Sequence, residues 1–205
     1  MRSSDDFKNR KVISVSDGRD LGTVADLYID SNFYWLTGIY LKSEGLFRRR
    51  AILIPRDRVT LFGVDVILVD DSDAVTNDRD HEEAKNWVRL KDVTGRTIDT
   101  PGGTKIATLK SVLLDESARV VAIELDKTYI EGPISDHGYV PRNAVIDSGH
   151  EDGGMTVDIH LAEQLMEQPL TPADPDNPMT TTTEQPASSA EPAPTTETDN
   201  SDEAE

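Results

Sequence analysis

The sequence predicts an all-β protein made of two small β-barrels in tandem, joined by a short acidic linker with a helical turn and followed by a disordered acidic tail. Three observations carry that prediction. The stretch Leu21–Asp30, which reads as a turn exit and a strand, recurs 85 residues later as Ile106–Asp115, with Thr23 over Thr108, Leu27 over Val112, Ile29 over Leu114 and Asp30 over Asp115. Each copy leads into a second strand-like stretch, Leu36–Leu41 and Val120–Leu125, so the repeated piece is a hairpin. Before it Gly18 lies over Gly103 at the same offset, and after it Pro55 lies over Pro141 and Arg56 over Arg142 at an offset of 86.

Taken in order, residues 1–10 form an N-terminal arm whose large apolar side chain, Phe7, is placed to pin it down. Residues 11–70 form the first barrel. Lys11–Val15 has strand composition, Ser16–Asp20 supplies turn chemistry, and the imperfect alternation of Val24, Leu27 and Ile29 predicts a bulge near Ala25-Asp26. Asp30–Phe33 is a turn, Tyr34–Leu41 an aromatic-rich strand, Ala51–Pro55 an apolar strand that proline ends, and Val64–Val69 the last strand. Residues 71–89 form the linker, where Ala84, Trp87 and Val88 at helical spacing predict a short helix that docks Trp87 near the second barrel. Residues 90–168 form the second barrel, with a strand at Leu90–Ile98, a variable connection at Lys127–His137 and a closing helical turn over His160–Gln168 built on Leu161 and Leu165. Residues 169–205 hold no Lys or Arg and little apolar content, the composition of a disordered segment.

Composition narrows the functional classes. The net charge of −18 is divided as +1 over residues 1–70, −10 over 71–168 and −9 over 169–205. Lys and Arg must neutralise phosphates for nucleic acid to be held by its backbone, so general nucleic-acid binding is not expected. The absence of cysteine removes disulfides, thiolate metal sites and thiol nucleophiles together. No leader-like segment and no run long enough for a membrane span is present, and a cytoplasmic location is the expectation. The acidity also fits a salty cytoplasm.

The order of turn, hairpin and Pro-Arg strand, given twice, resembles the PRC-barrel family, named for the cytoplasmic domain of the photosynthetic reaction centre H subunit. The residues that carry the resemblance are Lys11–Ile13, Asp17-Gly18, Leu21–Asp30, Gly38–Leu41, Ile54–Arg56 and Val59–Val69, with Leu90–Arg96, Gly102-Gly103, Ile106–Asp115 and Val140–Val145 in the second copy. The resemblance implies a binding or assembly module rather than a reaction. It therefore implies a non-enzymatic adaptor for protein partners, with no cofactor. Alternatives within the family are an accessory of a photosynthetic or other membrane complex, or a helper in ribosome maturation. Homo-oligomerisation stays open.

Candidate sites are few. His81, His137, His150 and His160 never fall at metal-ligand spacing, and the acidic run Asp70–Glu83 lacks the sixth-position glycine of a calcium loop. Gly102–Lys105 lacks the spacing of a phosphate loop, and no serine sits in a nucleophile elbow, so no catalytic, cofactor or metal residue is assigned. Two clusters suit a partner. Arg48, Arg49, Arg50, Arg56 and Arg58 place five planar forks within eleven positions, suited to carboxylate or phosphate. Phe33, Tyr34 and Trp35 form the other, since strand alternation turns at least one of Tyr34 and Trp35 outward.

Overall fold

The protein is described here by a computed structural model covering residues 1–41, 51–149 and 153–175. It is mostly β. The first unit runs from β1 (Arg2–Ser3) and a 3-10 turn (Ser4–Phe7) to β2 (Lys11–Ser14), β3 (Asp20–Asp30), β4 (Leu36–Leu41), β5 (Ile52–Pro55), β6 (Val59–Phe62) and β7 (Val66–Val69). The connecting segment contributes β8 (Thr76–Asn77), a 3-10 turn (Glu82–Asn86) and β9 (Trp87–Arg89). The second unit comprises α1 (Leu90–Val93), β10 (Thr97–Asp99), β11 (Lys105–Leu114), β12 (Val120–Thr128), α2 (Pro133–His137), β13 (Tyr139–Pro141), β14 (Val145–Asp147), β15 (Met155–Val157) and α3 (Ile159–Met166).

Two sheets result, and they share a strand order. The first reads β6-β7-β2-β3-β4-β5-β8 and the second β14-β15-β10-β11-β12-β13. In each, the short leading strand lies parallel to the closing one, β2 against β7 and β10 against β15. Each long hairpin strand turns a corner at a bulge. The pairing of β3 with β4 slips between Val24 and Asp26, and that of β11 with β12 between Leu109 and Ser111. An extra residue raises local twist, so the first half of β3 serves β2 while its second half serves β4. The hairpin turns at Gly18 and Gly103 have φ of 70° and 79°, where a side chain would be strained.

The segments that lead into the two units are exchanged. Arg2 and Ser3 pair with Leu114 and Leu113 of the second unit, while Val88 and Arg89 pair with Ile29 and Tyr28 of the first. This corrects two expectations. Trp87 lies in a strand, and it docks on the first unit, against Tyr28 at 5.8 Å between ring centroids. Gly38 makes room for it, since a Cβ there would lie 2.7 Å from the indole. Leu90–Val93 is a helical turn rather than a strand because the exchange leaves it to cross between units, burying Leu90 and Val93 while β9 takes the pairing.

The exchange gives the units a common interior. One buried cluster runs from Phe7, Val12 and Leu27 to Ile98, Ile106 and Val140. Phe7 is 2% exposed and meets Phe62 edge-on at 5.4 Å, so the arm is held by a side chain whose burial contributes about 1.5–3 kcal/mol. Among the described residues no helix is long and apolar enough to cross a membrane.

Candidate interaction surface

The two hairpins meet at their tips. The Asp30 carboxylate accepts from the backbone N–H groups of Asn32, Tyr34 and Trp35 at 3.0, 2.7 and 2.5 Å, and Asp115 accepts from Ser117 and Arg119 at 2.8 Å each. These caps close turns in which Phe33 and Ala118 take left-handed φ of 62° and 64°. Such a conformation costs a non-glycine residue about 1–3 kcal/mol, which the burial of Phe33 and the Asp30 hydrogen bonds offset. Across the junction Leu36 N–H donates to Ala118 O at 3.0 Å and Val120 N–H to Tyr34 O at 2.9 Å.

Each Pro-Arg arginine reaches the tip of the opposite hairpin. Arg56 donates from Nη2 to Ser117 O at 3.1 Å and lies 5.2 Å over the Phe62 ring. Arg142, only 5% exposed, donates to Asn32 O, to Phe33 O at 3.1 Å and to Val145 O at 3.2 Å, and stacks 4.2 Å over Tyr34. Burial pulls the Arg142 pKa below its ordinary value, against the opposing pull of Tyr34 and Asp30. The motif is thus a cross-brace between units.

The residues expected to meet a partner are distributed differently from the expectation. Phe33 is fully buried and belongs to the core, because the left-handed turn points it inward. Tyr34 is half-buried beneath Arg142, and Trp35 alone of the three is turned out, 41% exposed with Arg119 5.7 Å from its ring. Arg58 is engaged by Asp70 at 2.7 Å and by Asp73, which together hold its pKa above the ordinary value. Arg48, Arg49 and Arg50 lie outside the described residues. A groove of 830 Å³ runs along the junction past Tyr34, Trp35, Arg142, Ile146, Leu161 and Pro175. His81 stacks on Trp87 and His137 on Tyr139, and among the described residues no group of His, Asp and Glu is placed to hold a metal.

Residues 1–75 match the PRC-barrel domain. The matched span takes in the arm and β1 through β7 and ends before β8. No curated protein matches the chain.

The outer face of the first unit holds a feature that sequence reasoning missed. Ile13, Leu68 and Leu61 lie in one cross-strand row over β2, β7 and β6. Leu61 is 53% exposed, Ile13 and Leu68 are half-buried, and β6 is the end strand of its sheet. Its signal was present: Val66–Val69 is apolar at every position, the pattern of a strand covered on both faces, whereas Met155–Val157 alternates. The corresponding row of the second unit is Asp99, Thr156 and Asp147.

The exchanged segments differ in chemistry as well. In the first unit, Asp26 is 1% exposed and faces Arg89 Nε at 3.3 Å, an ion pair without an aligned hydrogen bond, while the Arg89 guanidinium lies 3.7 Å over Tyr40. In the second unit, Glu124 accepts from Lys110 at 2.6 Å, from Ser3 at 2.8 Å and from Ser111. Burial pushes the Glu124 pKa up, but the Lys110 ammonium and the two hydroxyls outweigh it and leave the pKa below its usual value.

Proposed function

We propose that the chain is a non-enzymatic assembly module of the cytoplasm, two PRC-barrel units in tandem, whose first unit holds a protein partner on its outer sheet face. The observation that carries this reading is the apolar row Ile13–Leu68–Leu61, which ends on β6, the end strand of its sheet. An apolar row that ends on an exposed leucine of an end strand invites another protein surface, although the Arg56 and Arg2 side chains donate to the Val59 and Phe62 carbonyls of that strand. The shared strand order supports a second PRC-type copy in residues 90–168. The non-enzymatic reading is supported by where the shifted carboxylates lie. Asp20 is lowered by Lys11 and Gly22, Asp70 chiefly by Arg58, and Asp17 and Asp71 chiefly by serine hydroxyls, all in exposed turns and ion pairs, while the half-buried Glu124 is held by Lys110, Ser111 and Ser3.

The test compares the full chain with a Leu61→Asp variant, both immobilised and exposed to native lysate, followed by remixing of any purified partner. A partner that binds the parent stoichiometrically and the variant at least about tenfold more weakly supports the reading. Equal recovery by both forms would remove the outer row from the function.

A further inference from the structure

We infer that the paired guanidiniums of Arg2 and Arg10 form an anion clamp whose ligand is the chain's own acidic C-terminal segment, residues 176–205. Arg2 donates from Nη2 to Phe62 O at 2.5 Å and from Nη1 to Gly63 O at 3.2 Å, and Arg10 Nη1 donates to the same Gly63 oxygen. Both cations lie over one ring, Phe7, at 4.7 and 5.1 Å from its centroid. Two positive charges are therefore drawn to a single carbonyl. Among the described residues neither arginine is in an ion pair, although the chain has 39 acidic residues against 21 basic ones. Arg19, Arg56, Arg79, Arg96, Lys105, Lys127 and Arg142 are likewise in no ion pair among the described residues, so what sets Arg2 and Arg10 apart is that they share one carbonyl and one ring.

A guanidinium pair held side by side, with N–H donors left open, suits a carboxylate through its planar fork. The segment after Pro175 supplies eight carboxylates and no Lys or Arg over 30 residues. Its attachment point lies on the groove beside the second unit, whose span 71–168 carries −10, so like charge drives it away from there. The neighbouring first unit, at +1 over residues 1–70, is the favourable destination. Thirty residues can reach up to roughly 100 Å when fully extended, so tethering on the same chain brings the acids within range of the first unit. The clamp would hold the segment beside β6.

The absence of native cysteine makes the test direct. A nitroxide is placed on the full chain through Ser201→Cys, and amide NMR intensities are read with the label oxidised and reduced. The clamp predicts that Arg2, Arg10 and Val64 lose about half their signal or more, and recover it in roughly 1 M salt, where the Debye length is about 3 Å. The same loss should vanish when the eight acids of residues 176–205 are changed to Asn or Gln, which leaves both units untouched. Unchanged intensities at these residues would overturn the inference, as would a loss that fades on dilution, which would mean contact with a second copy. Arginine Nε–H signals that ignore tail neutralisation yet move on adding inorganic phosphate would make the pair a free-anion site, again overturning it.

Discussion

The two units share a strand order and differ where they face outward. Leu61, Leu68 and Ile13 in the first are replaced across the same three strands by Asp147, Thr156 and Asp99 in the second. The inner pairing tolerates no such freedom. Val12 and Ile67 in one unit, and Ile98 and Met155 in the other, are wholly buried. The barrel is thus a frame set by inward positions, while alternate positions are left to carry one surface chemistry or another. The same divergence appears in the cross-braces, for Arg142 is buried and Arg56 half-buried although both reach the opposite hairpin tip.

The braces give the largest expected contrast. Arg142→Ala leaves carbonyls of Asn32, Phe33 and Val145 without their donor inside a cavity and should lower the unfolding free energy by about 3 kcal/mol. Arg56→Ala, at the half-exposed brace, should cost less than about 1 kcal/mol. Urea melts of both variants measure the difference, and equal losses would break the comparison. Next comes Gly38→Ala, which pushes on the indole of Trp87 and should cost about 1–3 kcal/mol in the same melts, with hydrogen exchange rising first along β9.

The acid side of the pH response should separate the two units. The folded-state pKa of Glu124 lies below its ordinary value of 4.5, so its contribution is present above that pH and is lost as the pH falls through the folded pKa. Its counterpart opposite the bulge in the first unit is Tyr40, so no carboxylate stands at that place. Glu124→Gln should therefore flatten the acid limb of stability below pH 4.5, as read from denaturant midpoints across pH. The smallest stability effect belongs to the outer row. Leu61→Asp should change the unfolding free energy by less than about 0.5 kcal/mol, and Asp147→Leu, which begins to copy the apolar row onto the second unit, should increase self-association in sedimentation velocity.

Much of the frame could be read from residues close in the chain. The bulge after Val24 followed from broken alternation, the turns at Gly18 and Gly103 from composition, and the helix at Ile159–Met166 from the spacing of Leu161 and Leu165. The candidate site was less legible. Arg56 and Phe33 were read as surface groups because their neighbours are polar or strand-like, yet Arg56 is drawn to Ser117 and Phe33 into the core. Trp87 misled for a related reason, since helical spacing and a short strand cannot be told apart over three residues.

By itself the sequence determined an all-β chain, two hairpins 85 residues apart and a paired Pro-Arg motif, because alternation and turn chemistry are properties of neighbouring residues. Only the tertiary structure decided that Ser3 would meet Glu124, that Arg142 would brace Asn32, and that the first unit's apolar outer row would end on an exposed Leu61. Those outcomes depend on contacts between residues more than a hundred positions apart or on which sheet edge goes uncovered, and such choices are made when the two units pack.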